Sequence, residues 1–282
     1  MATFKMGVLI DSFRVDLRSA LGLAQKIGVS GIQIYSTNGD TAPENLTAEK
    51  RRALLDLIKS HGLIVSALCG DLGSGGFTKP EANVLKIERS KRILELAKDL
   101  ETDIVTTHIG VVPEDPAHPR YQILQDACGT LAEYADSLRA HFAIETGPEP
   151  ARTLKTFLDS LHSRGVAVNL DPANFVMVTG DDPADAVHTL KDYIVHTHAK
   201  DGRKLYHRDP EEVYGMVESH IVTSPSYAEV PLGEGQVDWD AYLAALTAIG
   251  YDSFLTIERE VGGNPYEDIA KAYQFLIRKI ES

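Results

Sequence analysis

Short apolar runs return along this chain at intervals, each separated from the next by a stretch with helical periodicity, and this alternation constrains the fold more than any other feature. Runs rich in Val, Ile and Leu between amphipathic helices read as parallel strands covered on both faces, built from repeated β-α units. Eight units can be counted. The predicted strands are Lys5–Ile10, Gly31–Tyr35, Ile64–Leu68, Asp103–His108, Phe142–Thr146, Ala167–Asp171, Ile194–Ala199 and Ser253–Glu258. The predicted helices are Asp16–Ile27, Thr47–His61, Ala82–Leu100, Tyr121–Leu138, Ala151–His162, Asp182–Leu190, Trp239–Ile249 and Pro265–Ile280. Four of these patterns end on glycine just before a strand, at Gly28, Gly62, Gly165 and Gly250, as a left-handed C-cap requires. An open doubly wound sheet would want a glycine-rich dinucleotide loop after the first strand, where Ile10-Asp11-Ser12-Phe13-Arg14 stands instead. A closed (β/α)8 barrel as one domain over residues 1–282 is therefore expected, near the roughly 250 residues typical of that architecture.

Within the second half, four strands each finish on a side chain suited to metal binding: Glu145, Asp171, His198 and Glu258. Burying an acid or an imidazole at such a place is costly unless it has a partner, and one shared divalent cation supplies it. The spacing agrees with consecutive units, since 26 residues separate Glu145 from Asp171 and 27 separate Asp171 from His198. The step of 60 residues from His198 to Glu258 is too long for one unit. Its surplus lies in Lys200–Gly235, expected to be a loop that covers the substrate; a second long connection, Gly70–Pro80, would form another wall.

Three carboxylates and one imidazole, with no thiolate, suit a borderline-hard cation. Mn2+ is the first choice, with Mg2+, Co2+ and Zn2+ as alternatives. Four protein ligands around an ion that prefers six leave room for two oxygens of a sugar, and such chelation polarises a carbonyl and stabilises an adjacent enediolate. Epimerisation needs a base next to the carbonyl and an acid on the opposite face. Glu145 and Glu258, on strands five and eight, are assigned these roles as lying on opposite sides of the ring. Asp171 and His198 are then mainly structural ligands.

The balance of 28 Lys and Arg against 41 Asp and Glu, a net charge of −13, repels phosphate backbones and anionic membranes. No nucleic-acid or membrane partner is expected; a small neutral or weakly anionic substrate fits better. Cys69 and Cys128 form no C-x-x-C and read as reduced thiols. The first residues lack the apolar stretch of a signal peptide, and no window approaches roughly 18 consecutive apolar residues, so a soluble cytoplasmic protein is expected.

Several motifs carry a resemblance. Glu-Thr-Gly at 145–147, Leu-Asp-Pro-Ala-Asn at 170–174, His-Thr-His-Ala-Lys-Asp at 196–201, Pro-Leu-Gly-Glu-Gly-Gln-Val-Asp-Trp at 231–239 and Ile-Glu-Arg-Glu at 257–260 resemble the xylose isomerase-like TIM-barrel superfamily. That group includes sugar phosphate isomerases and epimerases, ketose 3-epimerases, inosose isomerases and dehydratases, and endonuclease IV. The resemblance spans the whole chain and implies a metal at Glu145, Asp171, His198 and Glu258, with the two glutamates as catalytic acid and base. It also leaves room for a homo-oligomer, dimer or tetramer. Ketose epimerases and endonuclease IV usually carry Asp-x-x-His where this chain has Asp171-Pro172-Ala173-Asn174. The further histidines of a three-zinc cluster are missing too: the third strand ends Leu68-Cys69-Gly70, and Ala228-Glu229-Val230-Pro231-Leu232-Gly233 replaces an Asp-x-His segment. DNA repair is therefore disfavoured.

Around this core, His108 could bond a substrate hydroxyl or sit as a satisfied strand-end histidine. Asn174 could contact substrate or simply start a helix. Asp201 is expected to orient His196 or Lys200, and Lys200, Arg203 and Lys204 could receive a phosphate. Trp239 is expected to pack at a helix start, while Tyr206, Tyr214 and Tyr227 are candidates to stack on a sugar ring. The function expected is a metal-dependent isomerase or epimerase of a small sugar or cyclitol. A lyase of the inosose or dehydroshikimate dehydratase type is the alternative, ahead of a noncatalytic sugar-binding barrel.

Overall fold

The predicted alternation folds as strands sealed on one side by helices and on the other by one another. A computed structural model describes residues 4–73, 75–217 and 224–281. Strands β1 (Lys5–Leu9), β2 (Gly31–Tyr35), β3 (Ile64–Cys69), β4 (Ile104–Thr107), β5 (His141–Glu145), β6 (Val166–Leu170) and β7 (Ile194–Ala199) follow one another around a ring. After a separate antiparallel ribbon of β8 (Asp201–Lys204) and β9 (Tyr227–Val230), β10 (Phe254–Ile257) pairs with β7 and β1 and closes an eight-stranded parallel barrel. The fold is a single (β/α)8 TIM barrel.

Helices α1 (Leu17–Ile27), α2 (Ala48–Ser60), α3 (Pro80–Asp99), α4 (Pro119–Ser137) and α5 (Ala151–Leu161) cover the first strands. Then come a one-turn α6 (Pro172–Asn174), a π-helical turn (Phe175–Thr179), α7 (Pro183–Leu190), a short α8 (Pro210–Val213), α9 (Trp239–Ala248) and α10 (Pro265–Glu281). Their starts follow the side chains: Asp16, Thr47, Asp182 and Asp238 each accept a first-turn backbone N–H, which satisfies donors the helix leaves unpaired. Strand side chains such as Val8, Ile32, Leu68, Ile144, Val168 and Leu255 are fully buried, each contributing about 1.5–3 kcal/mol through apolar burial. No helix among the described residues is long and apolar enough to cross a membrane.

Three expectations change. Gly28, Gly62 and Gly250 adopt the left-handed backbone their positions call for, but Gly165 does not; the left-handed residue ending α5 is His162, at φ 50°. Gly165 is glycine for space, since a Cβ there would sit 2.0 Å from the carbonyl oxygen of Ala132 on α4. The segment after His198 is more than a loop: β8 and β9 build a ribbon over the barrel mouth, with residues 218–223 outside the described residues, as is Ser74 in the other long connection. Finally, β5 and β10 stand three places apart in the ring, with β7 and β6 between them, so Glu145 and Glu258 flank an arc rather than face each other across a diameter.

Candidate active site

All four predicted ligands arrive at the carboxyl ends of their strands. Glu145 ends β5, His198 lies one residue from the end of β7, and Asp171 and Glu258 immediately follow β6 and β10. Each offers one donor atom to a cluster in which every such atom lies within 4.8 Å of the others, and all four side chains are buried. That spread equals the donor separation across a coordination sphere with bonds of roughly 2.0–2.4 Å.

The local sequence explains each orientation. Asp171 caps α6: its Oδ1 accepts the N–H groups of Ala173 (2.8 Å) and Asn174 (3.1 Å), which turns Oδ2 toward the barrel axis. Pro172 gives up no hydrogen bond at the first helical position. The imidazole of His198 is held by a relay through the barrel interior. Thr106 donates its hydroxyl to the Leu68 carbonyl (3.5 Å) and accepts from Gln33 Nε2 (2.8 Å); the Gln33 carbonyl oxygen then accepts from His198 Nε2 (2.9 Å). With the proton on Nε2, the lone pair of Nδ1 faces the carboxylates, 3.4 Å from Asp171 Oδ2 and 3.2 Å from Glu258 Oε2. Asn169 Nδ2 and Asn174 Nδ2 donate to the two oxygens of Glu145, at 3.1 and 3.2 Å.

Asp171 Oδ2 and His198 Nδ1 are buried without a hydrogen-bond partner among the described residues. Two orphaned acceptors aimed at one point, beside two further carboxylates, form an arrangement that a bound cation would complete. The residues thus fit a divalent metal, and the donor set of three oxygens and one nitrogen suits a hard or borderline ion. With a proton as the sole counter-charge, burial opposes a charged His198, but Glu258 and Glu145 outweigh it and raise its pKa well above the usual imidazole value. Burial likewise opposes ionisation of Glu258, yet the ammonium of Lys200 and then His198 hold it well below the ordinary carboxylate range.

A cavity of about 200 Å3 opens above this cluster, lined on its sides by His108, Lys200, Tyr214, Tyr227, Asp71 and Glu260. His108 stands between Asp71 (3.3 Å from Nδ1) and Glu145 (3.5 Å from Nε2). Burial disfavours its charge, but Glu145 and Asp71 prevail and lift its pKa to about 9. Tyr214 packs against its ring at 5.8 Å between centroids. Lys200 is only 5% exposed and donates to Glu258 (3.1 Å) and Glu260 (2.7 Å).

Other expected residues lie elsewhere. His196 is enclosed beneath the cluster: Nδ1 donates to Asn169 Oδ1 (2.8 Å) and Nε2 pairs with the Thr256 hydroxyl (2.8 Å), so it does not reach the cavity. Asp201 orients neither His196 nor Lys200. Its carboxylate instead accepts from the backbone of Gly202, Gly233, Gly235 and Val237 and from the indole N–H of Trp239, folding the Pro231–Trp239 motif around itself. Arg203 points away from the cavity, its guanidinium donating to the Glu234 carbonyl (2.9 Å), and Lys204 bonds the Val178 carbonyl (2.7 Å). Trp239 packs against Tyr242 and Phe275 as expected, whereas Tyr206 bonds the Ser224 carbonyl. Sequence reasoning missed Gln33 and Asn169. The signal was available: each is a lone amide inside an apolar strand, in Gly31-Ile32-Gln33-Ile34-Tyr35 and Val166-Ala167-Val168-Asn169-Leu170.

Among solved structures, the chain is 25% identical to a xylose isomerase domain protein from Planctomyces limnophilus, with a TM-score of 0.81 and 99% and 97% of the two chains covered. It superposes on an L-ribulose 3-epimerase at a TM-score of 0.75 and 18% identity, covering 99% and 95% of the chains, a likeness of fold. Over 143 residues it is 25% identical to inosose dehydratase from Lacticaseibacillus casei, 48% of this chain and 45% of that one. It spans less than two thirds of the length of the curated relatives it matches. The family model of the xylose isomerase-like TIM barrel matches residues 21–279, and the chain belongs to that family.

Proposed function

We propose that this protein is a divalent-metal-dependent isomerase or epimerase of a small sugar or cyclitol, acting by proton transfer next to a carbonyl. The observation that carries the reading is the buried quartet of Glu145, Asp171, His198 and Glu258, with orphaned donor atoms converging beneath a polar cavity. Bound there, a divalent ion would polarise the substrate carbonyl and lower the cost of an enediolate. The protein's own groups do the rest. Glu145 is clamped by two amides and Glu258 by Lys200, so both carboxylates are ionised and oriented before substrate arrives. One removes the proton beside the carbonyl and the other returns it. His108 and Lys200 border the same cavity and would hold substrate oxygens or pass protons to them.

A dehydratase is the second reading, favoured by the likeness to inosose dehydratase and by the two charged acids, His108 and Lys200, placed to protonate a departing hydroxyl. The test incubates the protein and Mn2+ with a panel of ketoses and inososes in deuterium oxide, followed by NMR. An epimerase exchanges the α-hydrogen and yields a diastereomer, a dehydratase product gains enone absorbance, and no exchange on any compound would sink both readings.

A further inference from the structure

Resting on the proposed carbonyl chemistry, we infer that the substrate is an uncharged, compact polyol, and that analogues carrying phosphate or carboxylate away from the reacting carbonyl are rejected. Three placements point to this. First, the cations at the cavity are already engaged. Lys200 is divided between Glu258 and Glu260, and His108 stands between Asp71 and Glu145; no arginine among the described residues lines the cavity. A neighbouring depression of about 210 Å3, beyond the His108–Tyr214 pair, is walled by Gly73, Gly75, Gly76 and Gly110, and no lysine or arginine among the described residues lines it.

Second, the places where a barrel of this kind can receive an anion are filled by the protein's own carboxylates. Barrels often bind phosphate on backbone amides in the loops after the last two strands. After β7, the amide-rich turn of Gly233, Gly235 and Val237 closes on Asp201 so tightly that a Cβ on Gly235 would lie 1.8 Å from its Oδ1. After β10, the N–H of Glu260 donates to Glu229, which also binds the guanidinium of Arg259 (2.6 Å); Asp268 takes the remaining face of that guanidinium (2.9 Å). Third, the cavity wall carries the carboxylates of Asp71 and Glu260 beside the hydroxyls of Tyr35, Tyr214 and Tyr227. Hydroxyl groups donate to such a wall, whereas a phosphate or carboxylate brings only acceptors and added negative charge. The volume, about 200 Å3, falls below the roughly 300–1,000 Å3 of ordinary ligand pockets, which suits one ring.

The test is isothermal titration of the Mn2+-loaded protein with free ketohexoses and inososes. The comparison set is ketohexose 6-phosphates and cyclic keto acids of equal ring size with the carboxylate distal to the carbonyl. At least one neutral compound should bind tenfold or more tightly than its charged counterpart, and Glu260→Gln, which removes one of the two negative charges paired with Lys200, should narrow that ratio. Equal or tighter binding of the charged compounds, or no binding by any neutral one, overturns the inference. Selective neutral binding without deuterium exchange leaves it standing and removes the proton-transfer reading instead.

Discussion

His196 and His198 sit two residues apart on one strand, both pointing into the barrel, yet they belong to different layers with opposite polar balance. In the lower layer His196 is closed off: Asn169 and Thr256 satisfy both ring nitrogens, and burial followed by the charge of His198 holds its pKa well below the usual value, so it stays neutral. In the upper layer His198 has one satisfied nitrogen and one bare one, among three carboxylates. The same side chain in nearly the same place is filler in one case and a candidate ligand in the other. What separates them is whether the protein itself supplies the last partner. Asn169 joins the layers, giving its oxygen to His196 and its N–H to Glu145, so the lower layer positions the upper one.

The comparison can be broken most sharply at the upper carboxylates. Glu145→Gln and Glu258→Gln should each lower the rate of α-hydrogen exchange by about 10²–10⁴-fold. Metal should still bind each variant at reduced affinity, seen by titration with Mn2+ under electron paramagnetic resonance; full exchange in both would refute their acid–base roles. Gln33→Leu probes the relay behind His198. Loss of the acceptor for Nε2–H should weaken Mn2+ binding about 10–100-fold while the unmetallated fold persists. His196→Leu should do the reverse: urea denaturation of metal-free protein should show a loss of about 1–3 kcal/mol from the stranded Asn169 and Thr256 groups, with one metal still bound per chain.

A smaller effect lies outside both layers, at Glu149. Its Oε2 accepts the Val112 N–H (3.0 Å), its Oε1 has no partner among the described residues, and burial pushes its pKa up to about 8. Because the folded value exceeds the unfolded one near 4.5, its contribution to stability is complete below that pH and is lost as pH rises through about 8. Glu149→Gln should therefore stabilise the protein at pH 8 by roughly 1 kcal/mol or more and have little effect at pH 4. Equal effects at both pH values would show that folding does not raise the pKa of this carboxyl.

The order of strands and helices was legible along the chain, because a strand buried on both faces must be apolar and a helix must be periodic, and both demands are local. The four candidate ligands were legible for the same reason: an acid or imidazole ending an apolar run stands out against its neighbours. Even Gln33 and Asn169 were visible as lone amides, though nothing local said what they would touch.

What the polypeptide could not declare by itself was partnership across the ring. Whether His196 or His198 keeps a bare nitrogen depends on Thr256 and Gln33, brought alongside β7 from distant parts of the chain. Asp201 reads as a companion of the ligands beside it, yet the ribbon carries it to the amides of Gly233–Val237. Lys200, Arg203 and Lys204, which looked ready for a phosphate, are committed to Glu258 and Glu260, to the Glu234 carbonyl and to the Val178 carbonyl by the closing of β10 and the ribbon over the mouth. Apolar pattern is written residue by residue; satisfaction of a buried polar group in this site is decided by neighbours 24 to 165 residues away, and barrel closure selects them.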